Sequence, residues 1–364
     1  MSADAKPLSQ ATRSEGIRRR RGRLRDTRIT LSHGGGGKAM RDLIDDVFVA
    51  GFDNALLASL DDQARISLAE LAACGDRLAF TTDSYVVDPL FFPGSDIGAL
   101  AVNGTVNDLA VGGARPLFLS CSVILEEGLE VATLRRVVRS MQAAAAAAGV
   151  AVVTGDTKVV PRGSADKLFI NTAGIGVIRA GLELDPSAVR VGDVILVNGL
   201  LGDHGAAVLN ARGDLALESD IASDCQALNG LIDTLIEACP AVRCLRDATR
   251  GGVATVLNEF ALACELCLHI DEHALPIREE VKGLCEILGL DPLYLANEGK
   301  LVAVVPADGA EAALAAMRSH PAGREAVRIG TVCATPPATV VMATLFGGER
   351  IVDMLVGEQL PRIC

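Results

Sequence analysis

The chain has 364 residues, 50% of them hydrophobic and 22% charged, which predicts a globular protein with room for two domains. Its net charge of −12 argues against general nucleic-acid binding, and no apolar run reaches the ~18–20 residues that a membrane span needs. The 10 cysteines need no disulfide role in a chain of this length, and we expect reduced thiols in a cytoplasmic protein.

The first 28 residues are rich in arginine and poor in acidic residues. Such a stretch is typical of a nucleic-acid arm or an export signal, but the apolar segment that an export signal requires does not follow it. We therefore expect residues 1–28 to be a disordered basic extension. Its arginines are Arg13, Arg18, Arg19, Arg20, Arg21, Arg23, Arg25 and Arg28.

Residues 29–185 predict a first domain that mixes strands with an alanine-rich helix at Leu134–Ala148. The turn around Pro186 then predicts a link to a second domain. The expected strands of the first domain are Leu78–Val87, Pro116–Leu125, Val150–Thr154 and Lys167–Ile178.

Residues 186–345 predict a second α/β domain, in which a strand, a glycine loop and a helix follow one another twice. Residues 346–364 predict a mobile tail, because termini are mobile unless tied down and Pro361 prevents a helix from reaching the end. The repeated pattern consists of Val194–Asn198 with a helix from Ala206, and of Cys244–Arg246 with a helix at Val253–Cys264.

A glycine run follows the basic extension, in the sequence Ser32-His33-Gly34-Gly35-Gly36-Gly37-Lys38. Consecutive glycines present bare backbone N–H groups, and the lysine adds positive charge, which suits a mobile wrapper for phosphates. The spacing is not that of a Walker loop, and a flexible linker is the alternative.

Four aspartates are expected at strand ends or in polar loops, namely Asp83, Asp108, Asp156 and Asp247. Mg²⁺ prefers hard oxygen ligands and usually shares them with nucleotide phosphates. Each aspartate alone is also typical of a helix cap or a turn, but four together favour a metal–nucleotide site.

Two glycine-flanked turns carry opposite charges, Gly155-Asp156-Thr157-Lys158 and Asn297-Glu298-Gly299-Lys300. If Lys158 and Glu298 meet in a pocket, they can tune each other's pKa and transfer protons. A surface salt bridge is the alternative, and the sequence leaves both open.

The last residue, Cys364, is a free thiol on a tail that contains a proline. From Ile351 the tail can extend about 43–47 Å, so its thiol can enter the chain's own active site or reach another protein. It is not a prenylation signal, which needs a cysteine four residues from the end. A frayed end without function is the alternative.

Another cluster, Cys264, Cys267, His269 and His273, is a candidate for zinc or redox chemistry. Its cysteine-to-histidine spacing is too short for a common zinc finger, and its cysteines lie in an apolar helical stretch. We expect buried structural thiols.

With these motifs the sequence resembles the HypE type of hydrogenase expression/formation protein, within the group that is similar to aminoimidazole ribonucleotide synthetase and selenophosphate synthetase. The resemblance runs from about Thr30 to Cys364, and the terminal Pro361-Arg362-Ile363-Cys364 is its most specific part. It implies an α+β, two-domain, PurM-like fold with a flexible C-terminal tail and a homodimer formed through the first sheet.

The resemblance also implies a carbamoyl dehydratase. A HypF-type carbamoyltransferase would load the Cys364 thiol, ATP would phosphorylate the carbamoyl oxygen, and the resulting cyano group would pass to iron on a HypC–HypD complex. Lys158 and Glu298 would handle protons, and Mg²⁺ would bind Asp83, Asp108, Asp156 and Asp247. His204 matches a family motif, but no role is implied for it. The implied ATP contacts are His33, Gly34, Gly35, Gly36, Gly37, Lys38, Asp83, Asn107, Asp108, Asp156 and Thr157.

Two other functions fit the same features. One is a phosphotransferase or ligase of the same fold, although a selenophosphate-type enzyme would need a cysteine in the glycine loop. The other is a non-enzymatic scaffold that a partner captures by its C-terminal carboxylate.

Overall fold

The chain forms two mixed α and β domains, each with one large sheet, in the computed structural model, which describes residues 23–213, 220–357 and 360–364. The predicted two-domain α+β architecture is confirmed. Within these ranges, no helix combines the length and the apolar character needed to cross a membrane.

The first domain begins with a 3₁₀ turn at Leu31–Gly34 and continues through six α-helices and six strands in its described part. A π-helical stretch, Ile44–Val49, joins its first two helices. The helices are α1 (Lys38–Leu43), α2 (Ala50–Phe52), α3 (Ala55–Ala58), α4 (Leu68–Ala72), α5 (Ile97–Val111) and α6 (Val131–Ala148). The strands are β1 (Arg77–Tyr85), β2 (Phe91–Phe92), β3 (Ser95–Asp96), β4 (Ala114–Glu126), β5 (Ala151–Val160) and β6 (Leu168–Ile178).

The first sheet has the strand order β1-β6-β4-β5 in the described residues. Its only parallel neighbours there are β4 and β5, which need a crossover, and α6 supplies it. α5 and α6 cover one face. The other side, which we call the open face, exposes Leu78, Phe80 and Ile124 to solvent.

α5 replaces the polar loop that we expected around Asp108. Asp96 starts this helix by accepting hydrogen bonds from the backbone N–H groups of Gly98 and Ala99. Nearly every residue of α5 is buried, and small side chains let it pack closely. A helix that is buried all round shows no amphipathic period, which is why the sequence pattern missed it.

β5 is longer than expected, since it continues through Gly155, Asp156, Thr157 and Lys158 to Val160. The predicted turn at Gly155 is therefore wrong. A Cβ atom at Gly155 would lie 2.0 Å from the carbonyl oxygen of Cys121, so the glycine permits close strand pairing here.

The second domain carries seven strands in its described part, in the order β13-β12-β9-β11-β7-β10-β8. The strands are β7 (Val194–Val197), β8 (Cys244–Asp247), β9 (Cys267–Asp271), β10 (Leu301–Val305), β11 (Val327–Cys333), β12 (Thr339–Ala343) and β13 (Glu349–Ile351). The helices are α7 (Asp203–Arg212), α8 (Asn229–Ala238), α9 (Gly252–Cys264), α10 (Glu279–Leu288) and α11 (Ala310–Ser319).

β7 shows how this second sheet is buried on both faces. Ile195 and Val197 pack into one hydrophobic cluster with α9, whereas Val194 and Leu196 pack into another with α8 and α11. All four side chains are buried, as a continuous apolar run predicts. Asp247 ends β8 and lies at the boundary with the first domain, where α5 packs.

The N-terminal boundary lies earlier than we expected. Residues 1–22 of the predicted basic extension lie outside the described residues, but Leu24 is buried and its N–H donates to Asp46 at 2.9 Å. Arg28 pairs with Glu130 at 3.2 Å. Residues 24–28 therefore belong to the first domain because they pack on α6 and its flanks.

The close approach at Gly155 generates a stability prediction. Gly155→Ala should destabilise the protein by about 1–3 kcal/mol, since an added methyl group must push β4 and β5 apart. Urea denaturation measures the change. Gly283→Ala in α10 is the matched control, because nothing lies within 4 Å of its added Cβ and alanine favours a helix. Equal midpoints for Gly155→Ala and the wild type would contradict the close approach.

Candidate active site

Four carboxylates, Asp83, Asp108, Asp247 and Glu298, meet where the two domains face each other, and we call them the acidic cluster. Burial and the charge of Asp83 raise the pKa of Asp108 to about 6. Burial and the charge of Asp108 raise the pKa of Asp247 to about 7. Like charges held together in a partly buried place make this cleft receptive to a cation or to protons.

Glu298 is the most buried member of the cluster, with 3% of its surface exposed. Burial, followed by the charges of Asp224 and Asp247, raises its pKa well above the usual range. Its Oε1 atom is buried and has no hydrogen-bond partner among the described residues. A raised pKa favours the protonated form of this carboxyl group, which can exchange a proton with a bound group.

Sequence reasoning assigned no role to Asp224 and Lys300, the two residues that fix the backbone of Glu298. Asp224 accepts a hydrogen bond from the Glu298 N–H at 3.0 Å, and Lys300 lies 3.2 Å from the other oxygen of Asp224. Both side chains are buried. Asp224 lies in a segment without regular structure, and only the Asn297–Lys300 motif signalled Lys300.

The last residues of the tail dock beside this cluster, where we expected a mobile end. The N–H of Val86 donates to a terminal carboxylate oxygen of Cys364 at 3.1 Å, and the N–H of Asp88 donates to the carbonyl oxygen of Arg362 at 3.3 Å. The tail thus lies antiparallel to the chain just after β1. This pairing brings Cys364 to the cluster.

The docked Cys364 thiol is largely enclosed. Burial raises its pKa, the charge of Glu298 raises it further, and the charge of Arg250 opposes this change. Because the thiolate is the nucleophile, the docked position disfavours attack by this sulfur. The docked position suits a cysteine that already carries a group rather than one that is about to accept it.

A cleft of about 520 Å³ adjoins the acidic cluster. The cleft offers positive and negative charge to a ligand, because Arg246 and Arg250 line it together with Asp108 and Asp247. Arg246 also pairs with Glu259. A cavity of this size with mixed charge suits a polar ligand.

The other predicted charged pair lies elsewhere. Thr157 is buried against the core, so strand alternation directs Asp156 and Lys158 to the open face. The Lys158 Nζ lies 2.8 Å from Asp156, is 63% exposed, and lowers the pKa of that carboxyl. The largest charge effects on Glu298 come from other carboxylates, and Lys158 pairs with Asp156 on the open face instead.

The predicted magnesium set is therefore divided. Asp83 on β1 and Asp156 on β5 lie on opposite edges of the first sheet, about 14 Å apart at three strand spacings, and on opposite faces. In the described part of the chain, no group of three or more His, Cys, Asp or Glu side chains is arranged to hold a metal ion. Asp83, Asp108 and Asp247 are close enough for their charges to interact.

The glycine run lies beside β5. A Cβ at Gly34 would lie 2.9 Å from the backbone nitrogen of Val159, so Gly34 packs directly on that strand, whereas added Cβ atoms at Gly36 and Gly37 would meet nothing within 4 Å. Next to it is a cavity of about 450 Å³ whose walls are mainly apolar and include Met40, Phe48 and Val153, with Thr157 at its edge. This second cavity suits a flat apolar group with phosphates near the glycines.

Two predicted ATP contacts have structural roles instead. His33 is buried, and its Nδ1 accepts the Thr30 N–H at 2.9 Å, which fixes the turn before the glycines. Asn107 is buried in α5, where it accepts the Leu228 N–H at 2.8 Å and donates to the carbonyl oxygens of Gln226 and Glu298. Asn107 therefore supports Glu298 from behind.

The cysteine-rich candidate does not form a metal site in the described part of the chain. Cys264 ends α9, whereas Cys267 begins β9 opposite Cys333 of β11. Burial raises the pKa of both Cys264 and Cys267. Cys267 is buried, whereas Cys264 is half-buried, and a structural role for both remains a prediction.

Known protein families match both domains. The family described as AIR synthase related protein, N-terminal domain, matches residues 60–178. The family described as AIR synthase related protein, C-terminal domain, matches residues 190–343. The two matches cover more than half of the chain.

Individual relatives are similar over nearly their full lengths. Carbamoyl dehydratase HypE of Rhodobacter capsulatus is 62% identical over 341 residues, which cover 94% of this chain and 99% of the relative. The crystal structure of hydrogenase maturation protein HypE in complex with ATP has a TM-score of 0.87 and 50% identity, and covers 92% of this chain and 99% of that chain. A HypE–HypF complex structure has a TM-score of 0.74 and 47% identity, and covers 86% of this chain and 99% of that chain.

The raised pKa of Asp247 predicts a pH-dependent stability. The folded chain binds a proton at Asp247 up to pH about 7, whereas an unfolded aspartate releases it near ~3.9. Between these values the folded state holds more protons, so the contribution of Asp247 to stability falls as pH rises. Asp247→Asn should therefore raise the melting temperature at pH 8 by at least about 2 °C more than at pH 5.

Thermal melts of both proteins at the two pH values measure this difference. Asp156→Asn is the control, since the pKa of Asp156 is lowered and its removal should give no such gain. If Asp247→Asn raises the melting temperature equally at both pH values, ionisation of the buried Asp247 carboxyl group does not destabilise the protein.

Proposed function

The chain belongs to the HypE carbamoyl dehydratases of the AIR synthase related family, and we propose that it dehydrates a carbamoyl group carried on Cys364. The thiocarbamate would become a thiocyanate at the expense of ATP. The product would supply the cyanide ligand for the iron of [NiFe]-hydrogenase.

One observation carries this proposal: the last residue of the chain is docked beside a buried, unpartnered carboxyl group. Cys364 lies where the charge of Glu298 acts on its sulfur, and Glu298 Oε1 has no partner in the described residues. A group attached to that sulfur would meet a proton donor and acceptor in a place from which water is largely excluded. This arrangement supports a tethered substrate more than a free one.

The reaction balances with ATP as the only co-reactant. The carbamoyl oxygen attacks the γ-phosphorus, the bond from that phosphorus to the bridging oxygen of ADP breaks, and one N–H proton leaves. The C–O bond of the phosphorylated intermediate then breaks, the second N–H proton leaves, and a nitrile remains on sulfur. The products are the thiocyanate, ADP, phosphate and a proton. Phosphorylation is needed because hydroxide is a poor leaving group.

Glu298 is our proposed residue for the proton transfers. Burial, and after it the charges of neighbouring carboxylates, raises its pKa and so favours the protonated form in the resting state. Asp224 and Lys300 fix its backbone, and Asn107 supports it from behind. Its pKa should fall when cationic charge enters the cleft, which would convert it from a donor into a base.

The acidic cluster fits a magnesium ion that arrives with the nucleotide. Burying Asp108 and Asp247 near other carboxylates raises their pKa values, and a cation would relieve that repulsion. Mg²⁺ usually takes one or two protein carboxylates and fills its remaining positions with water and phosphate, so a full protein cage is not needed. Asp83, Asp108 and Asp247 would hold it, and when bound it would offset phosphate charge.

A homodimer through the open face would unite the divided site. Leu78, Phe80 and Ile124 are apolar and exposed on that face, and β1 and β5 are its two edges. Two-fold closure of two such sheets would set β5 of one copy against β1 of the other. Asp156 and Lys158 of one copy would then lie along the β1 edge of its partner. The Asp83 side chain is directed to the other face of that strand, so a ligand would pass around this edge to contact both. Burial of the apolar side chains would stabilise the pair.

The nucleotide would span this interface. Its base fits the apolar cavity beside Thr157, and its phosphates would run past Gly34–Gly37 and Lys38 toward the acidic cluster of the other copy. A related HypE has been crystallised with ATP, which supports nucleotide binding by this fold.

The proposed partners are those that load and unload the thiol. A HypE–HypF complex structure supports a HypF-type carbamoyltransferase as the loading partner. We propose a HypC–HypD complex as the acceptor of the cyano group, and a cytoplasmic location for the reaction.

Mass spectrometry of the C-terminal peptide tests the reaction. After carbamoyl loading, addition of ATP should remove the mass of one water from the adduct on Cys364. Glu298→Gln should accept the carbamoyl group but convert it at least about 100-fold more slowly, since it cannot exchange a proton. Cys364→Ala should carry no adduct, whereas Cys74→Ala is a control with an unrelated thiol removed. An adduct that keeps its mass while ATP is hydrolysed would exclude a dehydratase.

Sedimentation velocity tests the dimer. Phe80→Glu should give monomers and lose ATP-dependent turnover, because it places a charge in the proposed interface, where Phe80 is 69% exposed in one chain. Leu68→Glu is the matched control, since Leu68 is 81% exposed but lies on α4, outside the open face. Dimers of unchanged stability in Phe80→Glu would place the interface elsewhere.

A further inference from the structure

The helix α7 contacts the docked tail with residues near both of its ends. His204 lies in its first turn and Arg212 is its last residue, about 12 Å apart along the axis. α7 belongs to the second domain, whereas the tail pairs with Val86 and Asp88 of the first domain. The tail is thus held between the two domains.

His204 binds the tail in one defined tautomer. Its side chain is fully buried, and Nε2 lies 2.8 Å from the carbonyl oxygen of Ile363. A carbonyl oxygen can only accept, so Nε2 carries the proton, and Nδ1 accepts from the Ser223 hydroxyl at 2.8 Å. The ring also packs edge-on against Phe92, with centroids 5.4 Å apart. His204 therefore points a fixed donor at the residue before Cys364.

Arg212 ties the tail to the first domain. Its Nε donates to the carbonyl oxygen of Asp88 at 3.1 Å, and its terminal nitrogen donates to that of Arg362 at 2.8 Å. The same nitrogen also reaches the carbonyl oxygen of Pro361. One guanidinium group therefore bridges the two chain segments that pair.

We propose that His204 and Arg212 are positioning residues that hold the tail in its docked state and so favour dehydration over loading. The proposal rests on the function proposed above, in which Cys364 carries the substrate. No substrate contact is assigned to either residue, since each acts on the backbone of the tail.

The two half-reactions need opposite tail positions. Loading requires an accessible sulfur that another protein can reach, whereas dehydration requires that the loaded group lie at Glu298. The contacts of α7 stabilise only the docked position. Weakening them should expose the thiol, speed its reaction in solution and slow the step at Glu298.

The first measurement involves no carbamoyl chemistry. Iodoacetamide alkylates exposed thiols, and mass spectrometry of the C-terminal peptide gives the rate at Cys364 alone. His204→Ala and Arg212→Ala should each raise this rate about tenfold, the change expected when a buried hydrogen bond to the tail is lost.

The second measurement uses potassium cyanate, which carbamoylates thiols directly and replaces the loading enzyme. Conversion of the adduct after ATP addition should be slower in both variants by up to about twofold, because a tail that is exposed tenfold more often can still be docked for much of the time. His204→Gln should recover most of the wild-type rate, because its side-chain amide can donate to the Ile363 carbonyl oxygen.

Arg278→Ala controls for a general loss of α7. Arg278 donates to Asp203 at the start of the same helix, at 3.0 Å, and does not touch the tail. It should lower the melting temperature without changing alkylation of Cys364.

Faster alkylation together with slower conversion, in His204→Ala and Arg212→Ala but not in Arg278→Ala, would support the proposal. Unchanged alkylation in both tail variants would overturn it, as would equal acceleration in Arg278→Ala. The alkylation measurement does not depend on the dehydration reaction. If the wild type fails to dehydrate the adduct, the alkylation rates still test the role of His204 and Arg212 separately.

Discussion

Mutual repulsion among buried carboxylates is the constraint on which the rest of this structure depends. Asp83, Asp108 and Asp247 come from both domains, and the charge of each raises the pKa of at least one other carboxyl group of the cluster. Burial is the largest cause of the raised pKa of Asp108, Asp247 and Glu298, and the repulsion adds to it. Together they make the cleft receptive to cationic charge and favour the protonated form of Glu298.

The tail completes that arrangement. It adds an extended segment beside the end of β1, and the pairing of Val86 with Cys364 sets the sulfur at the cluster. The tail is attached by backbone pairing, by contacts to α7, by the Arg362–Asp166 ion pair and by burial of Ile363. Under the proposed function it would leave this position without unfolding either domain. Such a thiol arm can serve an internal site and an external partner in turn, which a cysteine within a strand could not do.

A divided nucleotide site follows from the topology of the first sheet. The glycine run and Asp156 belong to the β5 edge, whereas Asp83 belongs to the β1 edge. In the proposed dimer, each nucleotide site would combine the β5 edge of one chain with the β1 edge of the other. The open apolar face is where the two chains would pack. Asp83 and Asp156, which the sequence predicted to share one metal site, lie on opposite faces of this sheet.

The sequence by itself determined the two domains, most strands and the terminal thiol, because alternation and apolar runs are local signals. It failed at α5 and at Gly155, where full burial and close strand pairing removed the local signal. Only the tertiary structure decided that Lys300 and Asp224 accompany Glu298, that His33 and Asn107 are structural, and that His204 holds the tail. The reason is physical: strand alternation fixes which face a side chain takes, but long-range pairing decides which side chains then meet.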